Sequence, residues 1–134
     1  MEAKQLVIER ESPWGFDKTV ELLTSESERR NWMIPATHDL KASLAKAGKE
    51  VRPVKVLEIC KPEYSGKLLE KSDERIVSVV MPCRISVYIK EDNSTYVAFL
   101  DGLGLAAGLP ENVREVMVAA SDEVNDIIDS VFLS

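Results

Sequence analysis

The amino-acid sequence predicts a two-layer α+β domain, in which a largely antiparallel sheet is covered by a long N-terminal and a long C-terminal helix. The first observation is a hairpin signal: the strand-like runs "CRISVYI" at 83–89 and "TYVAFL" at 95–100 are joined by the turn-forming loop "KEDNS". The second is that residues 111–131 keep one helical face apolar over their whole length, and residues 16–30 begin with the same helical spacing. Helices with a single apolar face need a sheet to cover, so both are expected on one side of it.

The other elements follow from strand and helix signals along the chain. Pro35 removes a backbone donor from the strand-like run "WMIPA", which limits that run to an edge strand or an irregular stretch. Gly48 is typical of the position just beyond a helix end, and it closes a short helix. The predicted elements before the hairpin are strand 4–10, helix 16–30, edge strand 32–36, helix 39–47, strand 54–60 and one or two helical turns within 63–72.

Length and composition limit the class of protein. At 134 residues the chain can bury a single core, so residues 1–134 are expected to form one α+β domain. A net charge of −6 without a basic patch argues against a nucleic-acid partner, because neutralised phosphates supply most of that affinity. No apolar run approaches the roughly 18 residues of a membrane span, and "MEAKQLVIERES" lacks the pattern of an export signal. We therefore expect a cytoplasmic protein with no membrane partner.

Cys60 and Cys83 are the two cysteines of the chain. In a reducing compartment, such residues are more often free thiols, redox thiols or metal ligands than a structural disulfide. Strand alternation puts Cys83 on the apolar face of its strand, whereas both faces of the strand that ends at Cys60 are mixed and leave its orientation open. Free cysteine is also a common core residue, so the simplest interpretation is two unconnected packing residues.

Two alternatives remain open for these thiols. In the first, the side chains meet at neighbouring strand ends, where Pro62 and Pro82 shape the backbone. Arg84 or Lys61 would then lower a thiol pKa and favour redox chemistry. The second is a metal site with His38 as a further ligand, although the chain has no closely spaced ligand pair of the zinc-site kind.

Glu58 and His38 are the other titratable residues of interest. A carboxylate in the middle of an apolar strand faces solvent, a partner or a cleft, and acid–base catalysis would require a second titratable group beside it. We expect Glu58 to face outward and His38 to lie at the surface, near the start of helix 39–47. Neither residue is assigned a catalytic role.

The segment "DGLGLAAGLP" at 101–110 precedes the last helix and contains three glycines. It lacks the Lys and Ser or Thr that end a phosphate-binding loop, so it is expected to be an apolar crossover that packs over the sheet edge. Its leucines, Leu103, Leu105 and Leu109, could form a dimer contact or line a small-ligand pocket, and the dimer contact is the preferred interpretation.

Three stretches carry a family resemblance: "SPWGFDKTVELL", "VLEICKPEYSGKLLEK" and "MPCRISVYIKEDNSTYVAFLDG". Together with the closing amphipathic helix they resemble the family known as domain of unknown function 302, over roughly residues 4–132. The resemblance implies a compact α+β fold like a single copy of the TATA-binding-protein architecture, often homodimeric, and it supplies no catalytic residues. One departure lies in the hairpin, where relatives commonly carry Asp-Gly and this chain reads "EDNST".

The residues and the resemblance together predict a small cytoplasmic binding or interaction domain, homodimeric and without a demonstrable active site. One alternative is a thiol-dependent redox or metal-binding protein that uses Cys60 and Cys83, with Arg84 as the electrostatic aid. The other is a small-molecule ligand pocket between the sheet and residues 102–109. The sequence indicates no particular cofactor.

Overall fold

The computed structural model describes residues 6–70, 72–81 and 83–134, without the side chains of residues 72–74 and 103. Within that part of the chain, strands alternate with helices in the order that the sequence predicts, with two further short elements. The strands are β1 Val7–Glu11, β2 Met33–Asp39, β3 Val54–Cys60, β4 Cys83–Ile89 and β5 Thr95–Leu100. The helices are α1 Phe16–Arg29, α2 Leu40–Ala45, α3 Pro62–Leu69, α4 Gly102–Ala106 and α5 Glu111–Phe132, with a 3₁₀ segment at Ser72–Val80.

The strands form a five-stranded sheet in the order β1-β5-β4-β3-β2. Every neighbouring pair is antiparallel, as predicted, and the bounds of β4 and β5 coincide with the predicted hairpin strands. β2 is an edge strand, which confirms the prediction from Pro35. Its pairing with β3 shifts between Met33 and Ala36, so the irregularity falls around the proline, which has no N–H to donate to a ladder.

The hairpin loop between β4 and β5 contains a residue with positive φ. Asn93 has φ 66°, and its N–H donates to the Lys90 carbonyl over 2.9 Å while Lys90 N–H donates to the Ser94 carbonyl over 3.1 Å. This left-handed conformation favours glycine, and asparagine is among the side chains that tolerate it best. The structure therefore accounts for how "EDNST" closes a hairpin where the resembling family commonly has Asp-Gly.

α1 and α5 pack on one face of the sheet, which confirms the two-layer α+β prediction. α1 contributes the fully buried Leu23, and α5 contributes Ile127 and Ile128. The sheet side of this core consists of alternating buried residues from three strands, namely Leu57, Ile59, Ile85, Val87, Val97 and Phe99. The indole N–H of Trp14 donates to the Val131 carbonyl over 2.9 Å and ties the start of α1 to the end of α5.

The sequence did not predict the 3₁₀ segment or α4. Residues 102–109 were expected as an irregular crossover, but residues 102–106 form one short helix that packs against α5. A Cβ at Gly102 would lie 2.4 Å from Ser121 Cβ and 2.7 Å from the Met117 carbonyl oxygen. Only glycine permits this approach, so the glycine content that reads as irregular in the sequence is what lets α4 contact α5.

Among the described residues, none of the helices is long and apolar enough to cross a membrane.

Candidate functional site

An apolar cavity of about 70 Å³ lies where α4, α5 and the 3₁₀ segment meet one end of the sheet. Its position follows from the chain order, because β5 leads directly into α4 at the same end at which β4 begins. The walls are almost wholly apolar and come from six different elements, with contributions that include Leu68, Val77, Phe99, Leu105, Met117 and Val124.

The side of the cavity away from the sheet is held by a small separate core. Leu68 of α3, Val77 of the 3₁₀ segment and Val113 of α5 are buried together. Leu109 packs against this cluster, and Met117 belongs both to it and to the cavity wall. The 3₁₀ segment is therefore anchored by Val77, which faces inward between exposed neighbours.

Two residues that line the cavity are exposed. Arg84 and Leu100 are the exposed residues among the described lining residues, with 61% of the Arg84 side chain and 41% of Leu100 accessible. Arg84 is also the one charged side chain in that set. Its guanidinium lies 3.7 Å from the Glu58 carboxylate, which is an ion pair but too long for a hydrogen bond.

The structure places both thiols at a second, smaller cavity of about 30 Å³ that shares part of its wall with the first. Cys83 lines both cavities, and Cys60 Sγ donates to Ser65 Oγ over 3.4 Å. The strand register pairs Cys83 with Ile59, the residue before Cys60, and the two cysteines are free thiols. The orientation that the sequence left open is thus settled: Cys60 contacts α3.

Burial and the neighbouring Cys60 raise the pKa of the Cys83 thiol. The guanidinium of Arg84, considered from the sequence as an aid to a thiol, pairs with the Glu58 carboxylate. A thiol with a raised pKa is a weaker nucleophile at neutral pH. Pro82, expected to shape the backbone beside Cys83, lies outside the described residues.

A polar cluster centred on Glu123 borders the smaller cavity. Glu123 Oε1 accepts hydrogen bonds from Lys61 Nζ at 2.5 Å and Trp32 Nε1 at 2.8 Å, and Oε2 accepts one from the Tyr64 hydroxyl at 2.6 Å. Burial raises the pKa of Glu123, but the three hydrogen bonds outweigh burial, so the pKa lies below its usual value. The bond to Glu123 raises the pKa of Tyr64 to about 12.

These shifts define what the cluster can do chemically. A carboxylate whose pKa is lowered is a weak base, and a tyrosine whose pKa is raised is a weak acid, so the pair is not tuned for proton transfer near neutral pH. Lys61, considered as a thiol activator, bonds to Glu123 instead. The cluster joins the β3–α3 connection to α5 and closes one side of the smaller cavity.

Sequence reasoning missed this cluster. Trp32 is buried in the core, and its indole N–H also donates to Glu123, 91 positions later in the chain. One sequence feature could have indicated it: Glu123 borders the apolar face of α5, and a carboxylate in such a position needs cationic or N–H partners.

His38 and Glu58 lie together on the sheet face opposite α1 and α5. His38 Nε2 donates to Glu58 Oε2 over 2.9 Å, and the Glu58 carboxylate lies between His38 and Arg84. Asp39, rather than His38, starts α2, because its side chain accepts from Ala42 N–H over 2.9 Å. Among the residues that the structure describes, no group of three or more His, Cys, Asp or Glu could hold a metal ion.

Leu103, Leu105 and Leu109 are the leucines that the sequence proposed for an interface or pocket. Leu105 lines the larger cavity, and Leu109 packs against the cluster beneath it. Leu103 belongs to α4, but its side chain lies outside the described residues.

Comparisons with known proteins agree with this architecture. The family model described as "Domain of unknown function DUF302" matches residues 8–131. The crystal structure of an uncharacterized conserved protein DUF302 from Bacillus stearothermophilus superposes with a TM-score of 0.82 at 17% sequence identity, covering 92% of this chain and 96% of that one. At that identity the likeness shows a shared fold. No curated protein matches the chain.

Proposed function

Since this chain belongs to the DUF302 family, a domain of unknown function, we propose from its own geometry that it is a small-ligand-binding domain. The binding site is the apolar cavity of about 70 Å³ between the sheet end, α4, α5 and the 3₁₀ segment. That cavity is the observation that carries the proposal. From the sequence, a dimer contact was the preferred interpretation of Leu105. The proposal departs from it because Leu105 lines a cavity rather than an outer surface.

Empty apolar space inside a protein is energetically unfavourable. Protein interiors are close-packed, and each void forfeits dispersion contacts along its walls. A water molecule needs roughly 10–15 Å³ of such space and two or more polar partners, so the volume is ample but the apolar walls offer water little. An apolar ligand recovers the lost contacts, which makes it the favoured occupant.

The test is thermal unfolding of the purified protein with a panel of small apolar molecules. A ligand that binds only the folded state raises the melting temperature by mass action. Leu105→Phe fills the cavity and should abolish the shift, whereas Leu133→Phe makes the same exchange at a residue that is 86% exposed and should preserve it. A panel that shifts neither the wild type nor Leu133→Phe overturns the proposal.

A second candidate function is that of a cytoplasmic interaction domain that forms a homodimer. It is favoured by two strongly exposed apolar side chains on the 3₁₀ segment, Ile76 at 76% and Val79 at 84% accessible. Sedimentation velocity at several concentrations tests it: Ile76→Glu should shift a dimer towards monomer, and Leu133→Glu should not. A wild type that is monomeric throughout overturns this candidate.

The TATA-binding-protein-like architecture remains part of the same proposal. The strand order β1-β5-β4-β3-β2, with α1 and α5 on one face, supports it. No DNA-binding role follows from such a likeness, because a fold does not carry a function.

A further inference from the structure

The smaller cavity, of about 30 Å³, has three sulfur-containing residues in its wall. Cys60 ends β3, Cys83 begins β4, and Met81 lies between the 3₁₀ segment and β4. Thiolate and thioether sulfurs are soft ligands, and copper(I) is the biological metal ion that accepts both. We propose that these three residues form a copper(I) site, with the two cysteines as thiolate ligands and Met81 as a thioether ligand.

The fold places both thiols on the α3 side of this sheet end. Cys83 pairs with Ile59, which is fully buried on the face that α1 and α5 cover, and directly paired residues share a face. Cys60 follows Ile59, and its Sγ donates over 3.4 Å to Ser65 Oγ of α3, another residue of the cavity wall. Cys60 also contributes to the raised pKa of the Cys83 thiol, an electrostatic effect that requires the two groups to be near each other.

Met81 brings the third sulfur to this wall. It lies two residues before Cys83, and its N–H donates to the Ser78 carbonyl over 3.0 Å, which fixes its backbone where the 3₁₀ segment ends. Its half-buried side chain packs against the small separate core beside the larger cavity. Methionine is unbranched and has three rotatable bonds, so its sulfur can adjust to a metal without a change in the backbone.

The other residues of the wall favour copper(I) over zinc. Among the described residues that line the cavity there is no carboxylate and no imidazole. Glu123 borders the cavity, but three hydrogen bonds already engage its carboxylate. His38, the further ligand considered from the sequence, bonds to Glu58 on the opposite face of the sheet. Structural zinc sites take four ligands from Cys, His, Asp and Glu, and the described residues offer no group of even three.

The size and polarity of the cavity suit a dehydrated ion. Its volume of about 30 Å³ exceeds the roughly 10–15 Å³ that one water needs, and a copper ion is no larger than a water molecule. The buried Trp32, Ile59, Leu68 and Ala120 form much of the wall and limit the access of solvent to the metal. Each thiol releases its proton to solvent as its copper–sulfur bond forms, and the copper stays monovalent, so no electrons are transferred.

The experiment is an anaerobic titration of the full chain with the copper(I) complex of bicinchoninate, a chelator that loses its colour when it gives up copper. Wild type should take one copper(I) per chain, which native mass spectrometry confirms on the monomer mass. Cys60→Ser and Cys83→Ser should each weaken copper(I) binding by about a hundredfold or more, because each removes a thiolate ligand.

A methionine pair provides the matched control. Met81→Leu conserves side-chain volume, so the fold is retained, and it should weaken copper(I) binding by about tenfold. Met117→Leu makes the same exchange at a residue that lines the larger cavity and not the smaller one, and it should leave copper(I) binding unchanged.

X-ray absorption at the copper edge identifies the ligand atoms. The loaded wild type should show sulfur neighbours alone, and Met81→Leu should show fewer of them. A nitrogen or oxygen neighbour in the wild type would put the copper on other residues and overturn the site.

Three further results would overturn the proposal: wild type that takes no copper from the chelator, equal affinities of Met81→Leu and Met117→Leu, or copper found only between two chains. The comparison of the two methionine variants decides the matter even if a cysteine variant fails to fold. The copper site does not depend on the ligand-binding function, which is tested at Leu105, a residue that lines the larger cavity and not the smaller one.

Discussion

Lys61 Nζ donates a 2.5 Å hydrogen bond to Glu123 Oε1, joining the residue that follows β3 to the middle of α5. Both side chains are largely hidden, with 17% of Lys61 and 19% of Glu123 accessible. Because Trp32 and Tyr64 donate to the same carboxylate, one side chain fixes β2, β3 and α3 against the long helix.

Replacing the carboxylate should therefore destabilise the fold. Glu123→Ala leaves Lys61, Trp32 and Tyr64 without their common acceptor, and we expect a loss of about 2 kcal/mol in the free energy of unfolding. Urea denaturation measures it. Glu115→Ala, at an exposed position of the same helix, should change stability by less than about 0.5 kcal/mol. Equal effects of the two substitutions would contradict the role assigned to the cluster.

Glu26 gives a prediction about pH. Hydrogen bonds from Arg29 and Arg30 lower the pKa of Glu26 from its ordinary 4.5 to about 2. A carboxylate whose pKa is lower in the folded state stabilises the fold above its unfolded pKa, and that stabilisation is lost as the pH falls from 4.5 towards 2. Glu26→Gln should thus lower the melting temperature at pH 7 and have little effect near pH 2.

The control for this measurement is Glu21→Gln, an exposed carboxylate on the same helix. Its melting-temperature difference from wild type should vary much less between the two pH values. A Glu26→Gln difference that persists undiminished near pH 2 would show that the two arginines do not hold the carboxylate ionised.

Gly102→Ala should destabilise the protein by about 1–3 kcal/mol, because the added methyl meets Ser121 Cβ and the Met117 carbonyl at distances that real contacts do not reach. Gly66→Ala is the matched comparison: nothing lies within 4 Å of its added Cβ, and the residue is inside α3. There alanine should stabilise by about 0.5–1 kcal/mol. Chemical denaturation of both variants checks the opposite signs, and two changes of the same sign would refute the tight approach of α4 to α5.

Asn31 ends α1 with φ 68° at an exposed position. Glycine adopts this conformation freely, whereas the Cβ of alanine comes too close to the backbone carbonyl oxygen in it. We therefore expect Asn31→Gly to be more stable than Asn31→Ala by about 1 kcal/mol, measured by thermal unfolding of the pair. Equal stabilities would mean that the backbone relaxes out of the left-handed region.

Patterns over a few neighbouring residues predicted the strands β2, β4 and β5. The ends of β4 and β5 were found because alternation and a loop of turn formers are both short-range signals, and Pro35 gave the edge position of β2 for the same reason. α4 was not found, because five residues rich in glycine have no helical periodicity and depend on contact with α5.

The candidate site was predicted only in part. Leu105 was identified because exposed leucines need a partner, but the cavity that it lines requires α5 and the 3₁₀ segment to be in place. Arg84 was singled out for a thiol, and the structure instead pairs its guanidinium with the Glu58 carboxylate. Glu123 lies far along the chain from Lys61 and Tyr64. The spacing of residues in the sequence therefore does not indicate that these side chains contact one another.

The pairing of β1 with β5 determines when the sheet can be completed during synthesis. β1 pairs only with β5 in the described sheet, and Val7 lies opposite Leu100. On a ribosome, β1 is therefore synthesised without its neighbour and waits until β5 has also been synthesised. The hairpin β4–β5 needs only a short loop to close and can form early, whereas the docking of β1 must close a loop that spans most of the polypeptide. Folding speed should accordingly respond to changes at this distant pairing more than to changes in the hairpin turn.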